Sequence, residues 1–575
     1  MISRQTVNEI NSFIDKYPHK ESALMPVLRL VQNSNSNQLT KDDVKDIAKL
    51  LGVSVGKVYG IATYYSMFNL EKSVGKYHLQ VDTNIPATLM GAKDILRYLE
   101  KKLNIKVSET TKDGLFTLSE VECLGSCGTC PVIQVNDVYY ENMTTSKVDK
   151  LLDSLRRGIM PEKEDTSYFG SVCNVLLKNR GVKGATTIGV AKAQGAYKSL
   201  AKAKGMKPEE ILEEVKNANL KGRGGAGFPA GVKWSFLAKD TGKPVYLICN
   251  ADEGEPGTFK DRQIMEYDPH LLIEGIAISA RAIGARIAFI YIRGEFGWIA
   301  DILEKAIEEA KADGQLPELD IIVHRGAGSY VCGEETALIE SIEGKRGQPR
   351  IRPPFPAVEG LYRCPTIVNN VETLASVPFI IDKGAYAFKQ WGFNNNYGFK
   401  LFGISGCVNR PGVYEYPIGV SFQELLGAAG GLNETMKAAI VGGLSVAIMK
   451  ADELKDLSMD YDSCAKHGTA LGSGGIMVIS EDFSIPELAL RTAKFYAHES
   501  CGKCVPCREG SYTLVSILKR ILAGSGEASD IERILSICNT MRGGLTLCPT
   551  GEAFSVPIKA MVEKFRNEFE ALLKS

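Results

Sequence analysis

The stretch that decides the fold reads PVYLICN at 244–250, LLIEGIAISARAIG at 271–284 and IAFIYIRG at 287–294. The first and third pieces are short apolar runs rich in β-branched and aromatic residues, which is typical of buried strands. The middle piece has the length and apolar spacing of a helix. A helix between two strands predicts a layered α/β domain in which helices cover a sheet.

Length, charge and cysteine usage limit the class of protein. The chain has 575 residues, enough for three or four domains that each bury a core. Lys plus Arg and Asp plus Glu both number 68, so the charge indicates no nucleic-acid partner. We find no secretory signal and no apolar run that approaches the length of a membrane span. Fourteen cysteines, several of them clustered, indicate a reducing compartment, and we expect a cytoplasmic protein.

The periodicity of apolar residues divides the chain into six segments. Helix-period positions with a capping pair at Thr40 and Asp43 predict a helical bundle at the start. Strands such as KYHLQVDT then alternate with helices such as AKDILRYLEKKL in a unit of thioredoxin-like size. The predicted segments are a helical bundle at 1–75, a thioredoxin-like domain at 76–158, a linker at 159–184, an α/β domain at 185–396, a small β-rich domain at 397–483 and a helical domain at 484–575.

Two groups of cysteines have the spacing of metal ligands. ESCGKCVPCREG sets Cys501, Cys504 and Cys507 in a CxxCxxC loop, and Cys548 follows after a helical interval. Three thiolates from one loop and one remote thiolate favour a [4Fe-4S] cluster, whereas a structural zinc usually takes its four thiolates from two CxxC turns. The second group, in VECLGSCGTCP at 121–131, has only three thiols, which are Cys123, Cys127 and Cys130.

Glycine-rich and acidic stretches indicate a phosphate-containing ligand only when they are taken together. GRGGAGFPAGVKW at 222–234 allows close backbone approach and supplies cations, but it follows a helix and lacks the Rossmann spacing. The acidic NADEGEPGTFKDR follows the strand VYLI, where carboxylates bind sugar hydroxyls or lie in a solvated loop. The pair Glu334 and Glu335 at a helix start is explained equally well by helix-terminus electrostatics.

These motifs, in this order, resemble those of a known family. GRGGAGFPxGxKW, NADEGEPGTFKDR, GEETALIESIEG, PPFPA, PTxVNNVETL and ESCGxCxPCREG are similar to the NADH-binding flavoprotein subunit of respiratory complex I and related soluble diaphorases. The resemblance covers roughly 170 to 575, and the first 160 residues resemble that subunit's small thioredoxin-like [2Fe-2S] partner, fused in front. It implies a multidomain α/β fold with an FMN/NADH-binding domain, a β-grasp (SLBB-like) domain and a C-terminal helical bundle that carries a [4Fe-4S] cluster.

The resemblance also implies site residues, and none of them is a catalytic acid or base. The positions that match the FMN cradle are Gly222, Arg223, Gly224, Lys233, Asn250, Asp252, Glu253, Asn369 and Asn370. The positions that match the NADH site are Phe228, Glu255, Glu335, Arg352 and Phe355. Glu255 is expected to repel the 2′-phosphate of NADPH. Arg352 replaces the family's usual lysine, which keeps the charge but changes its geometry.

The resemblance implies four thiols for the N-terminal cluster, and this chain departs from it. Asp82 and Ala87 stand where the family has its first two cysteines, and Cys130 is additional. Three alternatives follow, namely loss of the cluster, a [2Fe-2S] cluster in which Asp82 joins the three thiols, and a three-thiolate [4Fe-4S] cluster. We favour loss, because a cluster normally requires four good donors.

The sequence therefore predicts an FMN-dependent NADH dehydrogenase that passes single electrons through the Cys501 cluster to partner subunits with iron-sulfur clusters. We favour a soluble electron-bifurcating transhydrogenase or hydrogenase as its complex. The alternatives are the input module of a complex I type NADH:quinone oxidoreductase and a non-catalytic scaffold that keeps the flavoprotein fold.

Overall fold

A computed structural model describes residues 2–574. The chain begins with a helical bundle whose third helix starts at Thr40, where both bonds of the predicted capping box form. The bundle is not an independent unit, since its core continues into Tyr246 and Phe289 of the later α/β domain. Its helices are α1 (Arg4–Asp15), α2 (Leu24–Ser34), α3 (Lys41–Leu51) and α4 (Val55–Ala62).

The next domain has the predicted thioredoxin-like alternation around a four-stranded sheet. The strand order is β2-β1-β3-β4, in which β1 runs parallel to β2 and antiparallel to β3. The elements are β1 (Tyr77–Asp82), α5 (Ile85–Leu89), α6 (Ala92–Leu103), β2 (Phe116–Val121), β3 (Ile133–Val135), β4 (Val138–Tyr140) and α7 (Thr145–Arg156). The thiol-rich loop lies between β2 and β3, and the strand that ends at Asp82 points toward it.

The segment predicted as a linker contains a strand, β5 (Tyr168–Ser171). It pairs in parallel with Gly412–Pro417, about 240 residues further along the chain. The buried carboxylate of Glu415 fixes the following turn by accepting backbone N–H groups from Leu176 at 2.9 Å and Leu177 at 3.2 Å. The linker prediction therefore needs a correction in this part, because four residues are too few to show a period and their partner is remote in sequence.

The α/β domain is built on a parallel sheet with the order β8-β7-β6-β9. The strands are β6 (Tyr246–Ala251), β7 (Ile287–Ile292), β8 (Asp320–Arg325) and β9 (Thr366–Asn370). The helices are α8 (Ile188–Ala193), α9 (Lys198–Lys204), α10 (Pro208–Asn217), α11 (Ala230–Ser235), α12 (Asp261–Tyr267), α13 (Pro269–Ile283), α14 (Gly297–Ala312), α15 (Glu335–Ile342), α16 (Pro356–Glu359), α17 (Val371–Lys383) and α18 (Ala385–Lys389). The chain order reverses at β6, so the carboxyl ends of β6 and β9 form a topological switch point, where ligands bind in such sheets.

Two smaller domains complete the chain. The β-rich domain has a six-stranded sheet of order β15-β14-β16-β12-β13-β5. Its elements are β10 (Gly392–Phe393), β11 (Asn396–Tyr397), β12 (Phe399–Gly406), β13 (Gly412–Pro417), α19 (Phe422–Ala428), β14 (Met436–Val441), β15 (Ile448–Lys450), α20 (Tyr461–Lys466) and β16 (Gly475–Ser480). The last ninety residues are mostly helical, as predicted, in α21 (Ile485–Glu499), α22 (Val505–Leu522), α23 (Ala528–Thr540), α24 (Pro549–Lys564) and α25 (Arg566–Glu570). Over residues 2–574, no helix has both the length and the apolar character that crossing a bilayer requires.

Candidate functional site

A cavity of about 260 Å³ opens at the switch point of the parallel sheet. Its wall includes six of the predicted ligand-binding residues, which are Gly224, Asn250, Asp252, Glu253, Glu255 and Asn370. The register explains the convergence, because Asn250 and Asn370 are paired at the ends of the neighbouring strands β6 and β9. Pro549 and Thr550 of the C-terminal helical domain also line the cavity.

The glycine-rich loop closes one side of this cavity. The N–H of Gly222 donates to the carbonyl of Phe228 at 2.9 Å, and the N–H of Arg223 donates to Oγ1 of Thr373 at 2.8 Å. A Cβ at Gly224 would come within 3.0 Å of the Asn370 Cβ, so a side chain there would press on the cavity wall. Gly225 has φ +132°, a conformation that favours glycine.

Arg223 is a fully buried cation with unused donors. Its Nη2 donates to the carbonyl of Tyr397 at 2.9 Å, while Nε and Nη1 have no protein partner. Buried N–H donors without partners are costly, and an anionic or carbonyl-bearing ligand that accepted from Nε and Nη1 would remove that cost. The residues of the loop therefore fit a phosphorylated cofactor such as FMN.

Two acidic residues of the loop after β6 have different surroundings, because one has an oxygen without a partner and the other is hydrogen-bonded within the loop. Asp252 is half-buried, its buried Oδ2 has no partner, and desolvation raises the pKa of its carboxyl group well above the usual range. Glu253 is committed to its own loop, because it accepts the backbone N–H groups of Lys260 and Asp261 at 2.9 Å and of Arg262 at 3.1 Å. Asp252 is thus available to a ligand, while Glu253 mainly shapes the loop.

Glu255 lies between two domains. Its Oε2 accepts from the hydroxyl of Tyr330 at 2.5 Å, and its Oε1 accepts from both the N–H and the hydroxyl of Ser445 in the β-rich domain. Burial raises its pKa, against the lowering effect of these hydrogen bonds. The carboxylate is therefore held firmly at the cavity wall.

Five predicted ligand-binding residues, here called the rim, are not among those that line the cavity, and they are Phe228, Lys233, Glu335, Arg352 and Phe355. Lys233 pairs with Glu335 at 2.7 Å, and Arg352 contacts Glu334 and also Glu335 at 3.2 Å. The rim also carries two apolar aromatics, Phe228 and Phe355, which are 48% and 55% exposed. Exposed aromatic rings beside a cluster of paired charges are suited to a planar, polar ligand such as a nucleotide.

Asn369, another predicted FMN residue, faces away from the cavity. It is buried and its Oδ1 accepts from Nε1 of Trp234 at 2.7 Å. Its neighbour Asn370 caps α17 and donates to Oδ2 of Asp261 at 2.6 Å. Adjacent amides therefore have different surroundings, because successive residues of a strand point to opposite faces of the sheet.

The four C-terminal thiols gather where two helices begin. Cys504 directly precedes α22, Cys507 lies in its first turn, and Cys548 directly precedes α24. The N–H of Leu547 donates to Sγ of Cys504 at 3.3 Å, which joins the loop to the remote segment. Helix N-termini stabilise thiolates and negatively charged clusters.

The thiols lie beside the cavity but do not have single-ion geometry. Pro549 and Thr550, which line the cavity, follow Cys548 directly. In residues 2–574, no three or more Cys, His, Asp or Glu side chains are arranged as the ligands of one metal ion. The nature of the donors, four thiols from one loop and one remote position, fits a [4Fe-4S] cluster.

Four family models match successive parts of the chain. The model described as the Nuo51 FMN-binding domain matches residues 215–379, and the NADH-ubiquinone oxidoreductase-F iron-sulfur binding region matches 487–572. The thioredoxin-like [2Fe-2S] ferredoxin model matches 10–156, and the SLBB domain matches 401–446. The second NADH-quinone oxidoreductase F subunit of Rhizobium meliloti (strain 1021) is 49% identical over 409 residues, 69% of this chain and 97% of the relative.

The chain belongs to the family of NADH-quinone oxidoreductase F subunits. The F subunit of Streptomyces coelicolor is 45% identical over 67% of this chain and 87% of its own length. A solved chain of an NAD⁺-reducing [NiFe]-hydrogenase in the H2-reduced state is 30% identical, covers 96% of this chain and 93% of its own, and superposes with a TM-score of 0.86. The resemblance and the fold class predicted from the sequence are confirmed, and the chain contains an FMN-binding domain and an iron-sulfur binding region.

Sequence reasoning missed a group of buried charges in this member of the family. Lys260 lines the cavity and contacts Asp261 at 2.7 Å and Glu372 at 2.6 Å, and Lys400 lies 3.8 Å from Glu372. Lys260 and Asp261 occur in TFKDR, and Glu372 occurs in VNNVETL, so the motifs contained the signal. Their mutual contact depends on the fold, since Lys260 and Glu372 are far apart in the chain.

Proposed function

We propose that this chain is the NADH-oxidising module of a soluble electron-transfer complex. The observation that carries the proposal is the cavity, which is lined both by Gly224 and Asp252 of the predicted flavin site and by Pro549 and Thr550, the residues directly after Cys548. When bound, FMN supplies the conversion between two-electron hydride chemistry and one-electron transfer. The residues of the cavity would hold the flavin and the four C-terminal thiols would hold the cluster, and hydride transfer to the flavin would need no acid or base residue of the chain.

The residues in and around the cavity have binding and orienting roles, and of these Arg223 does not itself line the cavity. Arg223 offers Nε and Nη1 to the flavin or its phosphate, and the backbone of Gly224 allows close approach. Asn250 and Asn370 supply polar groups to the cavity, although Asn250 also donates to the carbonyl of Gly333 and Asn370 also caps α17. Lys260 adds a buried positive charge near the cavity, compensated by Asp261 and Glu372.

The residues of the rim select and orient NADH. Phe228 and Phe355 offer ring surface, and the charges of Glu335 and Arg352 are paired but partly open to solvent. Glu255 is fixed by Tyr330 and Ser445, so it has little freedom to move away from an additional phosphate. We expect this like-charge contact to disfavour NADPH.

The length over which two kinds of relative match this chain supports a proposal for its partner complex. The F subunits from Rhizobium and Streptomyces correspond to 69% and 67% of this chain, whereas the hydrogenase chain corresponds to 96%. A chain with the N-terminal domains fused in front is therefore similar over nearly its full length to a hydrogenase component. We propose a soluble hydrogenase or bifurcating complex with cluster-bearing partner subunits, and a complex I type input module is the alternative.

NADH-dependent reduction of an artificial dye by the FMN-reconstituted chain tests the catalytic proposal. We expect turnover in the wild type, and we expect Arg223→Ala to bind FMN about 10-fold to 100-fold more weakly, since a hydrogen bond to a charged group contributes about 1.5–3 kcal/mol. Flavin fluorescence measures the binding. An FMN-loaded wild-type chain without turnover would instead support the scaffold alternative.

Nucleotide preference tests the role of Glu255. We expect Glu255→Gln to narrow the preference for NADH over NADPH by about 10-fold, because one like-charge contact is removed. Glu359→Gln makes the same change in charge at an exposed position near Phe355 and serves as the control. An unchanged preference in Glu255→Gln would contradict this account of specificity.

Hydrogen-dependent NAD⁺ reduction tests the proposed complex. The complete complex, purified anaerobically through a tag on this chain, is expected to reduce NAD⁺ with H2 and to contain further iron-sulfur subunits. A preparation that instead passes electrons from NADH to a quinone in membranes would favour the complex I alternative.

A further inference from the structure

The thiols of the thioredoxin-like domain converge on one amide side chain. Nδ2 of Asn84 donates to Sγ of Cys123 at 3.1 Å and to Sγ of Cys127 at 3.5 Å. The same nitrogen lies 3.3 Å from Oδ2 of Asp82, so the two retained thiols and the substituted position surround it. All of these side chains are buried, with at most 7% exposure.

The donors at this place do not fit a four-ligand cluster. Both oxygens of Asp82 already accept backbone N–H groups, from Asn84 at 3.0 Å and from Leu124 at 2.9 Å. Ala87 supplies only a methyl group, and its N–H donates to Oδ1 of Asn84 at 2.8 Å. Ligation through either oxygen of Asp82 would compete with the hydrogen bond that this oxygen accepts, and a buried N–H group left unpaired costs about 1–3 kcal/mol.

The additional thiol does not replace a missing one. Cys130 directs its Sγ to the carbonyl of Ser126 at 3.5 Å, within its own turn. Cys130 matches neither of the positions at which the family's first two cysteines occur. Only Cys123 and Cys127 therefore remain as donors in the family's arrangement, and an iron-sulfur cluster normally requires four.

The same loop and the segment after β4 make buried contacts with the α/β domain. Nη2 of Arg293 in the α/β domain donates to the carbonyl of Cys123 at 2.5 Å. Nη1 of Arg262, also in the α/β domain, donates to Glu141 at 2.9 Å and contacts Ser126.

A third arginine reaches the strand that leads into the loop from the C-terminal helical domain. Arg491 pairs with Glu120 at 2.7 Å and with Glu122. All three guanidinium groups are at least nine-tenths buried. Buried charged hydrogen bonds of this kind fix geometry strongly, because removal of one partner leaves an unpaired group out of water.

We propose that the thioredoxin-like domain of this chain holds no iron-sulfur cluster and serves as a buried anchor, whose cysteine loop joins the α/β domain to the C-terminal helical domain. Asp82 and Asn84 fill the centre of the loop with hydrogen bonds in place of metal. Electron transfer within this chain then uses one iron-sulfur cluster, which is held by Cys501, Cys504, Cys507 and Cys548. Cluster content and domain contacts can be measured independently of NADH turnover.

Iron and flavin counting with low-temperature EPR tests the proposal on the full chain, purified anaerobically. We expect about four irons per FMN, no [2Fe-2S] signal after reduction by NADH or dithionite, and the same iron content in Cys127→Ser. About six or eight irons, with a paramagnetic signal that disappears in Cys127→Ser, would overturn it.

Thiol alkylation of the native chain tests the anchor by a measurement that does not depend on metal. We expect Cys123 and Cys127 to react with iodoacetamide far more slowly than after unfolding in urea, because the loop is enclosed between domains. Mass spectrometry of the digested protein identifies the labelled sites. Labelling of these two thiols at the unfolded rate would overturn the anchor.

Discussion

The two groups of cysteines in this chain differ less in sequence than in surroundings. Each has three thiols within eight positions, yet only the C-terminal group has a fourth, Cys548, at the start of a second helix. Three of the C-terminal thiols are partly exposed and lie beside the cavity, whereas Cys123, Cys127 and Cys130 are buried among hydrogen bonds and arginines. Spacing alone therefore indicates where thiols gather, and the fourth donor and the neighbouring polar groups decide whether a cluster can form.

Removal of one thiol from each group gives the largest expected contrast. We expect Cys548→Ala to lose about four irons per chain, because a [4Fe-4S] cluster without one of its four thiolates is poorly held. The matched variant Cys127→Ala is expected to keep its iron. Iron analysis with CD as a check of folding makes the measurement, and equal losses in both variants would remove the contrast.

Restoration of the two missing thiols is expected to let the N-terminal group bind an iron-sulfur cluster, as the C-terminal group is expected to do. The double variant Asp82→Cys, Ala87→Cys completes four thiols with Cys123 and Cys127, so we expect a gain of about two irons and a [2Fe-2S] EPR signal. The single variants serve as controls, because each provides only three of the four. If the double variant folds and gains no iron, the shape of the loop rather than the missing thiols prevents binding.

Loss of an interdomain arginine tests the surroundings of the N-terminal group. Arg491→Ala leaves Glu120 and Glu122 unpaired, and their side chains are 36% and 19% exposed, so solvent compensates part of the loss. We expect the free energy of local opening of the loop to fall by about 2 kcal/mol, which corresponds to about 30-fold faster alkylation of Cys123. Arg491→Lys keeps the charge and should give a smaller increase. Unchanged alkylation in Arg491→Ala would show that this contact does not hold the loop.

A fall in pH is expected to lower the local stability of the N-terminal domain before that of the C-terminal domain. Burial, with a smaller effect of Lys72, lowers the pKa of His78 in β1 to about 4. The unfolded residue titrates near 6.5, so its contribution to stability is present above about pH 6.5 and is lost as the pH falls toward 4. Between pH 6.5 and 5 the loss is at most about 2 kcal/mol.

Hydrogen exchange at two pH values, corrected for the intrinsic rate, measures this difference. Protection in β1 should fall relative to α22, and His78→Gln should reduce the fall because it removes the titrating group. Equal changes in β1 and α22, or the same fall in His78→Gln, would contradict the assignment.

The sequence by itself determined the class of protein. Ordered motifs such as NADEGEPGTFKDR and the CxxCxxC loop with Cys548 predicted the FMN-binding domain, the iron-sulfur region and the family, because these chemistries require particular residues at short spacing. The helix that begins at Thr40 and the alternation around β1 were predictable for the same reason, since caps and apolar periods are local signals.

Only the tertiary structure decided what each residue does within that class. In the folded chain Asn369 accepts a hydrogen bond from Trp234 and does not line the cavity, and Glu253 accepts N–H groups of its own loop. The strand β5 pairs with a strand about 240 residues away. The tertiary structure also placed the N–H groups of Asn84 and Leu124 on the carboxylate of Asp82. These outcomes depend on contacts between segments far apart in the chain, and the burial of a polar group and the choice of its partner are settled only when those segments pack.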